Sequence, residues 1–450
     1  MAGADIRRYS SDRRGMALNF FLGVGNGSLL ILADTLIHPT LVLALFVAAL
    51  TDDALLIGLV PAVASGVWFL PQLFSAAIVQ GRRRQLPWAA GASIVRTAAI
   101  VLLALVGYRA DSMTDSELLR SFFICYVAYN LAAGFANVPS TELAAKAIAA
   151  EKRGLFFSQR NLWGGILGFG GGFVIREVLG SGGPEFPRNF TFLFIAAALA
   201  LAAGTFLQAV MREPVRLAAH RTGSVTRALR DGPRVLTDGN YRRYILFRVL
   251  LSLSAIADPF FIVYAQRELD APASFVGLYV AAMTGSRIVS NVFWGALCNR
   301  HGNRAVLQFA ALARLVVPVI ALMLPYVTRT DLYQDRVSNE RIALYAFGVV
   351  FIAYGAALSG QILSNLGYIL DIAPDELRPT YIGLANTILG LVSFIPIVGG
   401  SIVDRYGYEE VFLAATFLSL GAVFLSGALT DTHARTRPTM AAWGLRRARS

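Results

Sequence analysis

The stretch GSLLILADTLIHP, residues 27–39, places Asp34 within an otherwise apolar run, and SLSAIADP, residues 252–259, places Asp258 in the same setting. The two aspartates lie about half the length of the chain apart and end the matching tripeptides Leu-Ala-Asp and Ile-Ala-Asp. An ionisable group is costly in hydrocarbon, so each aspartate marks a candidate functional site. The repeat predicts a duplicated chain with an acid at a similar depth in each half.

Three further correspondences extend the duplication along the chain. They pair Val127-Ala128-Tyr129 with Ile352-Ala353-Tyr354, Arg96 and Tyr108 with Arg314 and Tyr326, and Glu151-x-Arg153 with Glu376-x-Arg378. These matches predict two similar bundles of helices, related by an axis along the membrane normal.

The composition indicates a membrane protein. With 56% hydrophobic and only 15% charged residues, and a mean hydropathy of +0.58, the chain is more apolar than soluble domains. The charges are bunched, which leaves twelve stretches long enough to span a bilayer. They cover residues 17–49, 54–80, 87–108, 118–141, 154–178, 190–211, 241–266, 273–298, 305–327, 341–367, 380–403 and 410–430. They lack the alternating pattern of membrane barrels, so we predict an all-α membrane protein with twelve transmembrane helices in two pseudo-symmetric six-helix bundles.

The distribution of charge predicts the orientation. The basic connections are residues 7–14, 82–84, 152–153, 212–243, 300–304 and 435–449, and the acidic ones are residues 52–53, 111–117, 268–270 and 409–410. Basic connections face the cytoplasm, so we predict a multi-pass protein of the plasma (inner) membrane with both termini inside. The net charge of +12 does not indicate a nucleic-acid partner, because no basic stripe interleaved with aromatic residues accompanies it.

The longest polar connection divides the predicted domains. We expect a cytoplasmic N-terminal tail, an N-terminal bundle, a cytoplasmic linker, a C-terminal bundle and a cytoplasmic C-terminal tail, at residues 1–16, 17–211, 212–240, 241–430 and 431–450. The first apolar run is far longer than the core of a secretory signal, so we expect a retained helix.

The connection after the eighth stretch is the most specific local pattern. It reads Gly295-Ala-Leu-Cys-Asn299-Arg300-His-Gly302-Asn-Arg304 and resembles the signature loop of the major facilitator superfamily. Asn299 stands where that signature usually has an acid. The resemblance covers about residues 17–430 and implies two bundles that rock around a central cavity, with this loop in a gating role.

Asp34 and His38 are candidate binding residues in the first stretch. Residues four apart share one face of a helix, so both side chains could point into the same cavity. Pro39 lacks an amide hydrogen and should bend the helix there. Such a pair could bind and release a proton while the site alternates between the two sides. The alternative is that Asp34 only bonds to a neighbouring helix and His38 lies near the outer interface.

In the second half, the candidates are Asp258, Arg287 and Asn291. Asp258 and Arg287 should lie at similar depth on neighbouring helices, and a buried charge without a partner is unfavourable, so we expect them to pair or to bind a ligand each. The guanidinium fork of Arg287 suits a carboxylate or phosphate. Arg96 and Arg314 occur in both halves, and we expect them to tie helices to the inner loops.

Lys146 and Asp371 occupy equivalent positions with opposite charge near the predicted inner ends of the fourth and tenth stretches. This exchange of sign indicates a contact between the halves that closes the cavity when it faces outward. Exchanging the two charges should then preserve activity better than either single reversal, in an assay of transport.

The sequence favours a secondary transporter of a small organic solute, coupled to protons as a symporter or a drug-type efflux antiporter. The alternatives are an energy-independent facilitator, and a membrane sensor or assembly protein with the same fold. We expect no enzyme activity, cofactor or metal, because no nucleophile has a base and the histidines and cysteines lack ligand spacing. The expected partners are the lipid bilayer, the solute and protons, and we expect a monomer.

Overall fold

The computed structural model describes residues 13–79, 82–214, 235–328, 330, 341–374 and 377–430. Over these residues the regular structure is helical throughout, as predicted. Residues 1–12 of the predicted N-terminal tail, residues 215–234 of the linker, Glu376 and the tail 431–450 lie outside the described residues.

Six helices make up the first half. Four are continuous α-helices: α3 (Leu86–Tyr108), α4 (Asp115–Ala147), α5 (Arg153–Val178) and α6 (Arg188–Val210). Helix α1 comprises Arg13–Leu36, a π-helical turn at Pro39–Leu43 and Ala44–Ala48, and α2 comprises Ala54–Ala62, a π-helical turn at Val63–Val67 and Trp68–Val79. Short 3-10 turns lie at Ala110–Ser112 and Ala150–Lys152.

Six helices also make up the second half. Helix α7 comprises Gly239–Leu253, a 3-10 turn at Ser254–Ala257 and Phe260–Arg267. The continuous stretch Ser274–Thr328 is divided at Gly302 into α8 (274–301) and α9 (303–328). The remaining helices are α10 (Arg341–Ile372), α11 (Arg378–Val392 and Ile395–Tyr406) and α12 (Tyr408–Gly427).

Local signals in the sequence explain several of these boundaries. Thr114 caps α4, and its hydroxyl and the Glu117 carboxylate form a reciprocal capping box. Asp53 accepts from the amide of Leu55 at the start of α2. Gly302 has a φ of 79°, which a side chain would disfavour, and this residue ends α8.

The predicted break beside Asp34 is present, and a similar break lies beside Asp258. The helical part of α1 stops at Leu36 and resumes at Pro39, and α7 changes to a 3-10 turn just before Asp258-Pro259. Proline cannot donate an amide hydrogen bond, so both helices are interrupted at the depth of their acid.

The number of spans is consistent with the predicted twelve. Within the described residues, ten helical stretches are long and apolar enough to cross a membrane by length and composition. One of them, Ser274–Leu324, contains the break at Gly302 and so covers both α8 and α9. The glycine-rich helix α5 is a further long helix, which packs against α1 and α8.

The two halves meet along two seams, α5 with α8 and α2 with α11. A Cβ atom on Gly277 would lie 2.2 Å from the amide nitrogen of Arg176, and one on Gly172 would lie 2.7 Å from that of Ala281. On the other seam, a Cβ atom on Gly58 would lie 2.2 Å from the carbonyl oxygen of Pro396. The backbones are therefore in contact, as expected for glycines in membrane helices.

Polar contacts join the halves at the end predicted to face outside. Arg267 donates to the carbonyl oxygens of Ala48 and Thr51, at 3.0 and 3.2 Å, and pairs with Asp52 at 3.0 Å. The Asp404 carboxylate accepts from the amide of Ala54 at 3.0 Å. These bonds close the predicted outer end.

At the opposite end, Cβ atoms built on Gly154, Gly295 and Gly383 would meet no atom within 4 Å. The proposed pair Lys146 and Asp371 is not joined: Lys146 binds Glu213 at 3.0 Å, and Asp371 accepts from Asn303 at 2.8 Å. The hypothesis about that pair concerns the outward-facing conformation and stays a prediction.

Replacing Gly172 by valine should prevent closure of the α5–α8 seam, because the new side chain would meet backbone atoms of α8. The reporter is Ala54→Cys, a buried position on the other seam, in a chain with Cys125 and Cys298 replaced by serine. We expect faster labelling by a membrane-impermeant maleimide added outside. Gly170→Val is the control, since its Cβ atom meets no atom within 4 Å; equal labelling in both variants would contradict the packing.

Candidate functional site

Asp34 is held by two partners from neighbouring helices of the first half. The Arg96 guanidinium on α3 donates to Asp34 Oδ1 at 2.6 Å, and the Tyr129 hydroxyl on α4 donates to the same oxygen at 2.7 Å. Arg96 also donates to the Tyr129 hydroxyl and lies over the ring, with 4.7 Å between Cζ and the ring centroid. We call Asp34, Arg96 and Tyr129 the first cluster.

Asp258 is held in the same way in the second half. The Arg314 guanidinium on α9 donates to Asp258 Oδ1, and the Tyr354 hydroxyl on α10 donates to Oδ2 at 2.9 Å. The Arg314 Cζ lies 5.2 Å from the centroid of the Tyr354 ring. We call Asp258, Arg314 and Tyr354 the second cluster. The same three residue types thus come from the first, third and fourth helices of each half.

The two clusters differ in exposure. The Asp34 side chain is 55% exposed, whereas that of Asp258 is 9% exposed. A charge facing lipid is unfavourable, so the exposed side of Asp34 is best explained by a water-filled space between the bundles. The first cluster is therefore open to ligands or protons, and the second is closed.

One additional residue distinguishes the second cluster from the first. Ser254, four residues before Asp258, accepts from Arg314 Nε through its hydroxyl at 3.0 Å and from a terminal nitrogen through its carbonyl at 2.9 Å. Leu30 has the equivalent position four residues before Asp34 and has no hydroxyl. Accordingly, Arg96 Nε is buried without a hydrogen-bond partner among the described residues.

The structure corrects two expectations about arginines. Asp258 pairs with Arg314 and not with Arg287, so the predicted Asp258–Arg287 ion pair is wrong. Arg96 and Arg314 do not tie helices to inner loops; each binds an intramembrane aspartate. The sequence contained the signal, because arginine, tyrosine and aspartate all recur at matching positions in both halves.

His38 does not join Asp34 as the helical spacing suggested. Its backbone is extended, with φ −60° and ψ 124°, so the relation of residues four apart on a helix is lost at this point. The His38 Nδ1 atom lies 3.2 Å from the Thr40 hydroxyl. Arg287 is close enough to interact electrostatically with His38 and with Tyr354. These residues lie where α1 meets the second half.

The remaining residues of α8 and the signature loop fall into two groups. Asn291 is exposed one turn beyond Arg287, and Asn299 and Arg300 are exposed near the end of α8. The loop after α8 is fixed to its own half: Arg304 donates to the carbonyl oxygen of Gly427 at 2.9 Å, and Asn303 donates to Asp371. The loop is thus an anchor between α9, α10 and α12 in this conformation.

Glu213 was missed by the sequence analysis because it lies in the predicted linker. Its buried carboxylate accepts from Lys146 and from the amides of Gln85 and Leu86, at 2.7 to 3.0 Å. A carboxylate at this place accepts hydrogen bonds from the free amides at the start of α3, and the positive end of the helix dipole stabilises its charge. No spacing in the sequence connects Glu213 to these partners.

Comparisons with known proteins agree with this architecture. A family model described as "Major Facilitator Superfamily" matches residues 244–447. The D-xylose–proton symporter has a similar solved structure, with 16% identity, a TM-score of 0.67, and coverage of 92% of this chain and 98% of that one. The nucleoside transporter NupG has 17% identity, a TM-score of 0.60, and coverage of 92% and 98%. A bacterial homologue of the iron transporter ferroportin, in an inward-facing state, has 14% identity, a TM-score of 0.66, and coverage of 93% and 98%. No curated protein sequence matches the chain.

The chain is a multi-pass integral membrane protein with the two-bundle architecture of these carriers. Its fold is similar to the folds of these carriers, and the Major Facilitator Superfamily model matches residues 244–447, which include the signature loop. The resemblance seen in the signature loop is thereby confirmed.

Replacing Arg314 by glutamine should destabilise the protein more than replacing Arg96. Removing one partner of a buried ion pair leaves an uncompensated charge and costs about 3–5 kcal/mol. Asp34 is more than half exposed, so water can solvate it when Arg96 is lost. Denaturant unfolding of the purified variants in detergent measures the difference. Equal losses would contradict the assigned difference in burial between the two clusters.

Proposed function

We propose that the protein is a secondary transporter that moves a small organic solute by alternating access, with proton coupling through Asp34. It would act as a monomer in the plasma (inner) membrane with both termini in the cytoplasm. The similar structures include a D-xylose–proton symporter and a nucleoside transporter, which supports transport as the general activity.

The observation that carries this proposal is the pair of equivalent clusters with unequal exposure. Asp34 is accessible while the outer end is closed, whereas Asp258 is enclosed by Arg314, Tyr354 and Ser254. A carboxyl group that is accessible in this conformation is suited to take up or release a proton. Asp258 then serves to hold α7, α9 and α10 together.

Protonation of Asp34 would change the forces within the first bundle. The groups that face Asp34 are Arg96 and the hydroxyl of Tyr129, with Arg160 and Tyr126 near enough to interact electrostatically. A neutral Asp34 no longer balances Arg96, so α1 is held less strongly to α3. Because α1 also contacts the second half near Thr40 and Ala48, this loosening would reach the closed outer end.

If the protein is an energy-independent facilitator, both clusters have only a structural role. This alternative requires no change in proton binding between Asp34→Asn and the wild type. The sensor alternative requires that the outer end never opens, so Ala54→Cys would stay protected from labelling in the presence of any solute.

A proton-release measurement tests the coupling without a known substrate. We expect a titration step in purified wild type and in Asp258→Asn, which is lost in Asp34→Asn, because Asp34 alone of the two is open to solvent. Asp258→Asn is the matched control. If all three titration curves coincide, the hypothesis of proton coupling through Asp34 is wrong, and the protein is better described as an energy-independent facilitator.

A further inference from the structure

Three half-buried arginine side chains in the membrane-spanning helices form neither a hydrogen bond nor an ion pair with the described residues. They are Arg160 of α5, Arg248 of α7 and Arg287 of α8. Both aspartates in the middle of the apolar segments are already paired, with Arg96 and Arg314. Five guanidinium groups therefore accompany two carboxylates, and the interior of the helices carries an excess of positive charge.

The environment of Arg160 makes it a candidate ligand-binding residue. Its Nε atom is buried without a hydrogen-bond partner in the described part of the chain. The side chain packs against Gly27, where a Cβ atom would lie 2.0 Å from Arg160 Nε. This contact directs it along α1, and it interacts electrostatically with Asp34 and Arg96. Arg160 thus lies beside the open first cluster.

Arg287 is the second candidate and belongs to the second half. It is half-buried midway along α8, near His38 and Tyr354. Helices α5 and α8 form one of the seams, where a Cβ atom on Gly165 would lie 2.7 Å from Ile288. The two arginines therefore stand on helices that are in contact, one from each bundle, with Arg160 near the first cluster and Arg287 near the second.

We propose that the transported solute is a small organic anion, with a carboxylate or phosphate group bound between Arg160 and Arg287. The proposal rests on the transport function proposed above and adds the class of substrate. Guanidinium groups bind such anions through paired, charge-assisted hydrogen bonds. A cationic solute would be repelled by the excess of positive charge, and a neutral solute would leave both arginines without a counter-charge.

The position of the two arginines gives the anion a second effect. Each belongs to a different bundle, so an anion that binds both draws the bundles together at the seam. Binding energy that depends on the arrangement of the bundles is what a solute needs in order to shift a conformational equilibrium. Arg248 interacts with Tyr244, nearer the predicted cytoplasmic end of α7, and adds positive charge without being part of this site.

The test measures direct binding to purified protein in detergent by calorimetry, at constant ionic strength. The probes are three pairs of similar solutes: glycerol 3-phosphate with glycerol, succinate with succinamide, and benzoate with benzamide. We expect at least one anion to bind at least about tenfold more tightly than its neutral partner, because only the anion can pair with the guanidinium groups. The phosphate and carboxylate pairs distinguish the two kinds of anion.

Two variants place the effect at the site. Arg160→Gln and Arg287→Gln should each weaken binding of that anion by about tenfold, and Arg287→Lys should retain part of it, since an ammonium keeps the charge but not the fork. Arg188→Gln is the control: it removes the same charge from an exposed arginine paired with Asp111. Its affinity should equal that of the wild type.

Several results would overturn the anion site. The proposal fails if no probe anion binds, if neutral partners bind equally well, or if both glutamine variants bind like the wild type. It also fails if phosphatidylglycerol co-purifies with the wild type and is lost in both variants, because the site then holds a lipid headgroup. Transport is measured separately in vesicles. If an anion binds and is not transported, the proposed transport function is wrong, whereas the proposed anion site is still supported.

Discussion

The pairing of charges inside apolar helices is the constraint on which this structure depends. An ionised carboxylate in a medium of low dielectric needs a partner close by, and a partner removed leaves a penalty that packing cannot offset. In each half, one arginine and one tyrosine from two other helices bind the aspartate. The first, third and fourth helices of each bundle are thereby held at a fixed depth relative to one another.

Duplication does not make the halves equivalent, and the difference is small in chemical terms. Ser254 provides the second cluster with two acceptors for Arg314, while Leu30 provides none for Arg96. The second cluster is then saturated and buried, whereas the first has an unpaired nitrogen and an exposed carboxylate. The second cluster is thus suited to a structural role and the first to exchange with solvent.

Much of the fold could be predicted from the sequence, because hydrophobic length, the alternation of charge and the internal repeat are each properties of single segments. The contacts between helices were harder. Arg287 and Arg314 both lie at a depth that could reach Asp258, and depth alone does not tell which helix faces it. The repeat did contain the answer, since Arg96 and Arg314 recur together with the aspartates. The predicted pairing of His38 with Asp34 was wrong for a local reason, because the break before Pro39 abolishes the helical spacing on which it was based.

The break at Pro39 divides α1 into two sections, and each section contacts a different bundle. Its long section, which carries Asp34, is bonded to α3 and α4 of the first bundle. Its short section, beyond the break, packs against the end of α7 and accepts hydrogen bonds from Arg267 of the second bundle. One helix therefore crosses the boundary between two bodies that must move relative to each other. Any rotation of the bundles has to be absorbed as a change of angle at residues 37–39, which makes this joint a mechanical link between the charge on Asp34 and the width of the outer opening.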